Sequence, residues 1–118
     1  MSDIEIHDER DRGLLVARAA GGPEGSTLGY IQYFVLDAPE RALVPVHTIV
    51  GPEHEGRGIA GSLARELYAI AARESIAVAP LCPFVVEWAA RHPGEAPVAQ
   101  PELMDAAQRA LADDPSKW

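Results

Sequence analysis

The sequence predicts a single α/β domain of the α+β kind, in which a mixed sheet is crossed by one central helix. Short apolar stretches rich in β-branched and aromatic residues recur before residue 51, and Gly- or Pro-containing turns bound them. From residue 59 the apolar residues follow helical spacing instead. With 118 residues and 47% hydrophobic content, the chain can form one core and is too short for two.

Four strands are predicted from composition and alternation, at residues 14–20, 28–36, 42–50 and 76–81. In the second strand Tyr30 and Phe34 lie on one side and Ile31 on the other, so both faces should be partly covered. Residues 1–12 are dense in charge apart from two isoleucines, and they form either a short edge strand or a frayed end. We expect a loosely ordered N-terminus over 1–12.

The central helix is predicted from an apolar stripe that begins after the third strand. Ile59, Leu63, Leu67 and Ile70 share one face, so the helix runs to about residue 73 and lies across the sheet. The fold class is therefore a mixed sheet with a central helix crossover and a second helix after the fourth strand, and the strand–helix–strand step should be right-handed.

A second helix is expected at 84–91, because Pro83 suits a first helical turn and leaves Cys82 at or next to the N-cap. The domain should end with this helix, at residue 94. Residues 95–118 then form a C-terminal tail with a Pro-rich start and one possible helix at 102–112, whose inward residues are Leu103, Ala107 and Leu111. The predicted organisation is thus an N-terminus over 1–12, a domain over 13–94 and a tail over 95–118.

The charge and the cysteine count limit the possible functions. A formal net charge of -8 argues against binding to nucleic acids or anionic membranes, which requires clustered Lys and Arg, and it favours cationic partners. The single cysteine excludes an internal disulfide. Because neither a secretory signal nor an apolar run of about 20 residues is visible, we expect a cytoplasmic protein.

One stretch carries most of the functional signal, and it reads HTIVGPEHEGRGIAGSL from residue 47 to residue 63. Its start resembles the end of a strand, and its remainder is a glycine-rich turn that enters the central helix. The start of a helix presents free backbone N–H groups, and Gly56, Gly58 and Gly61 would let a phosphate approach them closely. The pattern indicates a site for a phosphate-bearing cofactor, although loop flexibility alone would also explain the glycines.

This stretch, together with the later PLCPFV and RHP segments, resembles the small, single-domain branch of the GNAT superfamily of acetyl-CoA-dependent N-acetyltransferases. The resemblance covers about residues 13–94. The turn EGRGIAGSL is similar to the acetyl-CoA loop of the superfamily, in which a Gln or Arg is followed by two residues, Gly, one residue, and Gly or Ala. The chain departs from the superfamily in three places. Glu55 stands where the loop usually has Gln or Arg, and Trp88 stands where relatives often have Tyr. The acceptor helices that larger relatives have between their first two strands are missing.

The resemblance implies which residues contact acetyl-CoA. The pantetheine arm would lie along the third strand, and the diphosphate would lie on the helix start. The implied cofactor-binding residues are Thr48, Ile49, Val50, Glu55, Gly56, Arg57, Gly58, Ile59, Ala60, Gly61, Ser62 and Pro83.

Two catalytic residues are predicted, Cys82 and His47. Cys82 would precede a helix start that favours thiolate, and the small branch has a cysteine in this motif. Its alternative is a small buried core residue. His47 would accept a proton or orient the thiol, and its alternative is a strand histidine bonded in the core. No metal is predicted, because His47, His54, Cys82 and His92 lack ligand spacing.

The sequence therefore predicts an acetyl-CoA-dependent N-acetyltransferase whose acceptor is an unidentified amine, either a small molecule or a protein lysine. The acetyl group would pass directly to the amine or through Cys82. The alternative is an acyl-CoA-binding or sensing module with little turnover, which Glu55, Trp88 and the missing acceptor helices favour. A purely structural protein would bind no coenzyme A.

Overall fold

The computed structural model describes residues 4–19, 27–51 and 58–114, and its centre is a five-stranded sheet whose strands are ordered as in the sequence. The strands are β1 (Ile4–Glu9), β2 (Leu14–Ala19), β3 (Thr27–Leu36), β4 (Ala42–Val50) and β5 (Ala77–Val78). Neighbouring strands from β1 to β4 are antiparallel, and β5 is parallel to β4. The predicted mixed sheet with a helical crossover is confirmed.

The expectation of a loosely ordered start is wrong from Ile4 onward, because this segment is the edge strand β1. It pairs with β2 from Ile4 opposite Ala19 to Glu9 opposite Leu14. Ile4 and Ile6 pack against the core, while the residues between and after them are mostly exposed. Alternation of only two apolar residues is enough for an edge strand, since only one of its faces is buried.

Three α-helices complete the described fold: α1 (Ile59–Glu74), α2 (Pro83–Arg91) and α3 (Pro101–Asp113). The four residues of the predicted α1 stripe are all buried, so its amphipathic assignment is confirmed. Helix α1 connects β4 to β5 and packs on one sheet face. The central residues of that core are fully or almost fully buried: Leu15, Ile31, Leu43, Leu63, Leu67 and Val85.

The opposite sheet face is covered in part by α3. Leu103 and Ala107 of this helix cluster with Ala42 and Val44 of β4, and all four are buried. The predicted C-terminal helix and its inward residues are therefore confirmed. The division into a domain over 13–94 and a tail over 95–118 stays a prediction, although α3 clearly packs on the sheet.

The last strand is shorter than the predicted 76–81. Only Ala77 and Val78 form a ladder with β4, since Pro80 has no N–H to donate. The chain nevertheless stays beside β4, because the N–H groups of Ala79 and Leu81 donate to the carbonyls of Leu43 and Pro45 at 2.9 and 3.0 Å. This extended run brings the chain to the start of α2.

Candidate functional site

The edge of β4 that faces away from β3 is paired along only half of its length. The carbonyl of Pro45 accepts hydrogen bonds from the N–H groups of both Leu81 and Cys82 at 3.0 Å. After Cys82 the segment beside β4 turns into α2. Beyond Pro45, no described backbone segment pairs with this edge, whereas β3 remains paired with β4 as far as Val50. Strand β4 and the segment that enters α2 therefore separate, and the edge of β4 between them is left open.

The backbone groups of Thr48 and Val50 lie on this open edge. The N–H of Gly51 donates to the carbonyl of Leu28 on β3 at 3.0 Å. Because the backbone groups of successive strand residues alternate between the two edges, those of Val50 and Thr48 face away from β3. An extended ligand could hydrogen-bond to them as an added strand does.

The start of α1 is capped by backbone alone. Gly58 is the N-cap residue with a φ of 76°, a left-handed conformation that favours glycine, and no side chain caps the helix. The first intrahelical bond runs from the N–H of Ser62 to the carbonyl of Gly58 at 3.0 Å. The amides of Ile59, Ala60 and Gly61 thus have no acceptor within the helix, and its first turn has no acidic residue. An anion would be favoured there.

Three predicted binding residues, Glu55, Gly56 and Arg57, lie outside the described residues, as does His54. Pro83 is the first residue of α2, and Cys82 is its N-cap residue, as expected. Ile49 is half-exposed on β4.

The thiol of Cys82 contacts a hydroxyl rather than the predicted imidazole. Its Sγ lies 3.2 Å from Oγ1 of Thr48, and either atom can donate the hydrogen bond. Cys82 is only 3% exposed, and it belongs to the same core as α1. Thr48 also stands opposite the buried Ile31, so its side chain shares the core-facing side of the sheet.

His47 lies on the other face of β4, and the expected placement beside Cys82 is wrong. Its cross-strand neighbour is Gln32, whereas that of Thr48 is Ile31, and successive strand residues face opposite sides. The pairing skips Val46 between Pro45 and His47, which is a β-bulge. This extra residue changes which of the next side chains face the core, so counting from the strand start misassigns them.

Trp88 of α2 lies beside the first turn of α1. Its ring stacks on His92 with a centroid distance of 4.2 Å and on Tyr68 at 5.9 Å. Arg65 lies over the same ring at 5.5 Å and forms an exposed ion pair with Glu95, which lowers the pKa of that carboxyl group. The four-residue spacing of Trp88 and His92 is the sequence signal that could have predicted this stack.

An apolar cavity of about 270 Å³ lies elsewhere, between α2 and the segment that leads to α3. Val86, Ala89 and Met104 are among its lining residues, and neither Cys82 nor the first turn of α1 contributes to it. Within the described ranges, no three His, Cys, Asp or Glu side chains come together in a group able to hold a metal ion. None of the described helices has the length and apolar character needed to cross a membrane.

Comparison with known proteins identifies what this arrangement resembles. A family model described as GCN5-related N-acetyl-transferase matches residues 18–98. The chain is similar to the crystal structure of a ribosomal-protein-alanine N-acetyltransferase from Brucella melitensis biovar Abortus 2308, with 26% identity and a TM-score of 0.53. That match covers 74% of this chain and 62% of the Brucella chain.

A provisionally assigned acetyl transferase from Pyrococcus furiosus matches with 21% identity and a TM-score of 0.49, over 74% of this chain and 60% of that one. The chain thus spans about three fifths of the length of both solved structures. No curated protein sequence matches it significantly.

Proposed function

This chain belongs to the GCN5-related N-acetyltransferase family, and from that premise we propose that it transfers an acetyl group from acetyl-CoA to an amine. The observation that carries the proposal is the open edge of β4. This edge lies between the starts of α1 and α2, and the thiol of Cys82 lies beside it. A backbone edge, a row of free amides and a nucleophile suit the three parts of an acyl thioester of coenzyme A.

The backbone of Thr48 and Val50 would hydrogen-bond to the pantetheine arm, while Ile49 alternates with them on the strand. The amides of Ile59, Ala60 and Gly61 would bind the diphosphate. The remaining binding residues in this proposal are Gly58 and Ser62 at the helix start, Pro83 at the start of α2, and Glu55, Gly56 and Arg57, which rest on the sequence alone.

In the covalent route, the sulfur of Cys82 attacks the thioester carbonyl. A carbon–sulfur bond to Cys82 forms, the carbon–sulfur bond to coenzyme A breaks, and the proton of the cysteine thiol passes, directly or through water, to the departing coenzyme A thiolate. Thr48 holds the attacking sulfur in position. An amine then attacks the acetylated cysteine, the new amide forms, the cysteine sulfur leaves, and the proton of the amine passes to a base or to water. Because this route needs no acid on α2, it tolerates Trp88 where relatives often have Tyr.

In the direct route, the deprotonated amine attacks the thioester itself, and a base takes its proton. His47 can serve as that base only if the amine approaches from the sheet face opposite Cys82, because that is the face on which His47 lies. The acceptor is an amine, and the net charge of -8 favours cationic ones such as polyamines or lysine side chains.

The test is acetyl transfer by the purified chain. Wild type and Cys82→Ser are incubated with acetyl-CoA and a panel of amines, while release of coenzyme A is followed and the protein mass is recorded. The covalent route predicts an acetyl adduct on wild type that amines discharge, and neither adduct nor turnover at the wild-type rate for Cys82→Ser. Full turnover by Cys82→Ser would establish the direct route instead. Tight binding of coenzyme A without turnover on any amine would identify a binding module and overturn the proposal.

A further inference from the structure

Trp88 presents a hydrogen-bond donor to the start of α1. Its side chain is 7% exposed, and its indole Nε1 lies 3.6 Å from the position that a Cβ on Gly61 would occupy. The neighbouring ring carbon Cδ1 lies 3.8 Å from the same position. The polar edge of the indole, rather than its benzene ring, therefore lies against the helix.

The direction of this edge matters because Gly61 is the third residue of α1. In an α-helix every Cα–Cβ bond tilts toward the N-terminus, so an atom in contact with that position lies beside the first turn. The amides without an intrahelical acceptor are in the same turn. Among residues 4–19, 27–51 and 58–114, no side chain or carbonyl is seen to accept a hydrogen bond from the indole N–H, and the first turn of α1 provides no carboxylate.

The ring is held firmly in this orientation. His92 and Tyr68 stack on it, and Arg65 lies over it. The imidazole of His92 is itself fixed, because its Nδ1 lies 2.8 Å from the backbone carbonyl of Trp88. A donor that is fixed before binding loses little conformational freedom when it meets an acceptor.

We propose that the indole N–H of Trp88 donates a hydrogen bond to an anionic oxygen of the coenzyme A diphosphate at the start of α1. This proposal rests on the proposed coenzyme A site and adds a side-chain donor to its backbone amides. A donor on a nearly buried side chain, beside several amides without an intrahelical acceptor, favours an acceptor that carries negative charge. Trp88 is then a binding residue that fixes the cofactor, and it does not replace the acid that a tyrosine would supply.

The first test compares Trp88→Phe with wild type in calorimetric titrations of coenzyme A and of pantetheine, which has no phosphate. Phenylalanine keeps an aromatic ring and removes the N–H. We expect coenzyme A to bind about tenfold more weakly, as the loss of one hydrogen bond to a charged group predicts, with pantetheine unaffected. Tyr68→Phe is the matched control, since it removes a hydroxyl from the same stack, and it should bind coenzyme A as wild type does.

The second test uses wild type alone and so does not depend on the folding of a variant. Trp88 and Trp118 are the two tryptophans of the chain, and each gives one indole N–H signal in a nitrogen-labelled spectrum. Coenzyme A and inorganic pyrophosphate should shift the Trp88 signal downfield, while pantetheine should not. If coenzyme A binds and the Trp88 signal stays in place, this proposal is overturned and the coenzyme A site stands. If coenzyme A does not bind at all, both fall.

Discussion

Thr48 and His47 are neighbours in the chain, yet only one of them faces the thiol. The sequence predicted Cys82 and His47 as the catalytic residues, because imidazole is the usual proton acceptor, and it placed Thr48 only among the cofactor-binding residues. The β-bulge at Val46 decides otherwise, because it changes which of the following side chains face the core, and a bulge cannot be read from residue types. Position along the chain was thus predictable here, whereas side-chain direction was not.

The contact between Thr48 and Cys82 predicts a role for the hydroxyl that packing alone would not give. Thr48→Val keeps the shape of the side chain and removes its hydrogen-bonding group, so acetylation of Cys82 by acetyl-CoA should slow by about tenfold, as expected for one lost hydrogen bond. Thr48→Ser should retain the wild-type rate. Mass spectrometry at successive times measures both rates, and equal rates for Thr48→Val and wild type would refute this role.

Among the secondary-structure elements, α1 was the most predictable and β1 the least. The α1 stripe has four large apolar residues at helical spacing, and all four are buried. Strand β1 has two isoleucines among charged residues, which is little signal for a strand whose outer face meets solvent. Periodicity therefore predicts elements that bury a broad face and misses edge elements that bury a narrow one.

The start of α1 can be tested separately from its packing. Ala60→Glu places a carboxylate in a first turn that has none, where the helix dipole favours it, so thermal stability should stay equal or rise. The same charge should repel a bound diphosphate and weaken coenzyme A binding at least about tenfold, by Coulomb's law near a protein surface. Ala60→Gln, which is similar in size and uncharged, should bind like wild type.

Calorimetric titration measures how tightly each of the two variants binds coenzyme A, and thermal melts measure their stability. The assignment of the diphosphate to this helix start would not survive if folded Ala60→Glu bound coenzyme A as tightly as Ala60→Gln does.

At the scale of the whole molecule, two nearly buried tyrosines tie stability to pH. Burial raises the pKa of Tyr68 to about 12, and burial followed by its hydrogen bond to Asp8 raises the pKa of Tyr33 to about 12. The ordinary value for both is 10.0. Between these values the unfolded chain loses protons that the folded chain keeps. The free energy of unfolding should therefore be fully maintained below pH 10 and should fall as pH rises toward 12.

Urea unfolding measures this loss of free energy of unfolding when it is carried out at about pH 9 and at about pH 11, below and above the pH at which the loss begins. Tyr68→Phe removes one of the two groups, so its stability should differ less between the two conditions than that of wild type. An equal loss for Tyr68→Phe and wild type would show that this phenol does not contribute.

The central claim concerns the whole site: the free amides at the start of α1 and the open edge of β4 together hold coenzyme A. An NMR titration of the labelled protein with coenzyme A tests it most directly. The account predicts shifts of the backbone amides of Ile59, Ala60 and Gly61, with Thr48 and Val50 moving more than Ile49, whose backbone groups face β3. Saturating coenzyme A that leaves the α1 and β4 amides unmoved would contradict it.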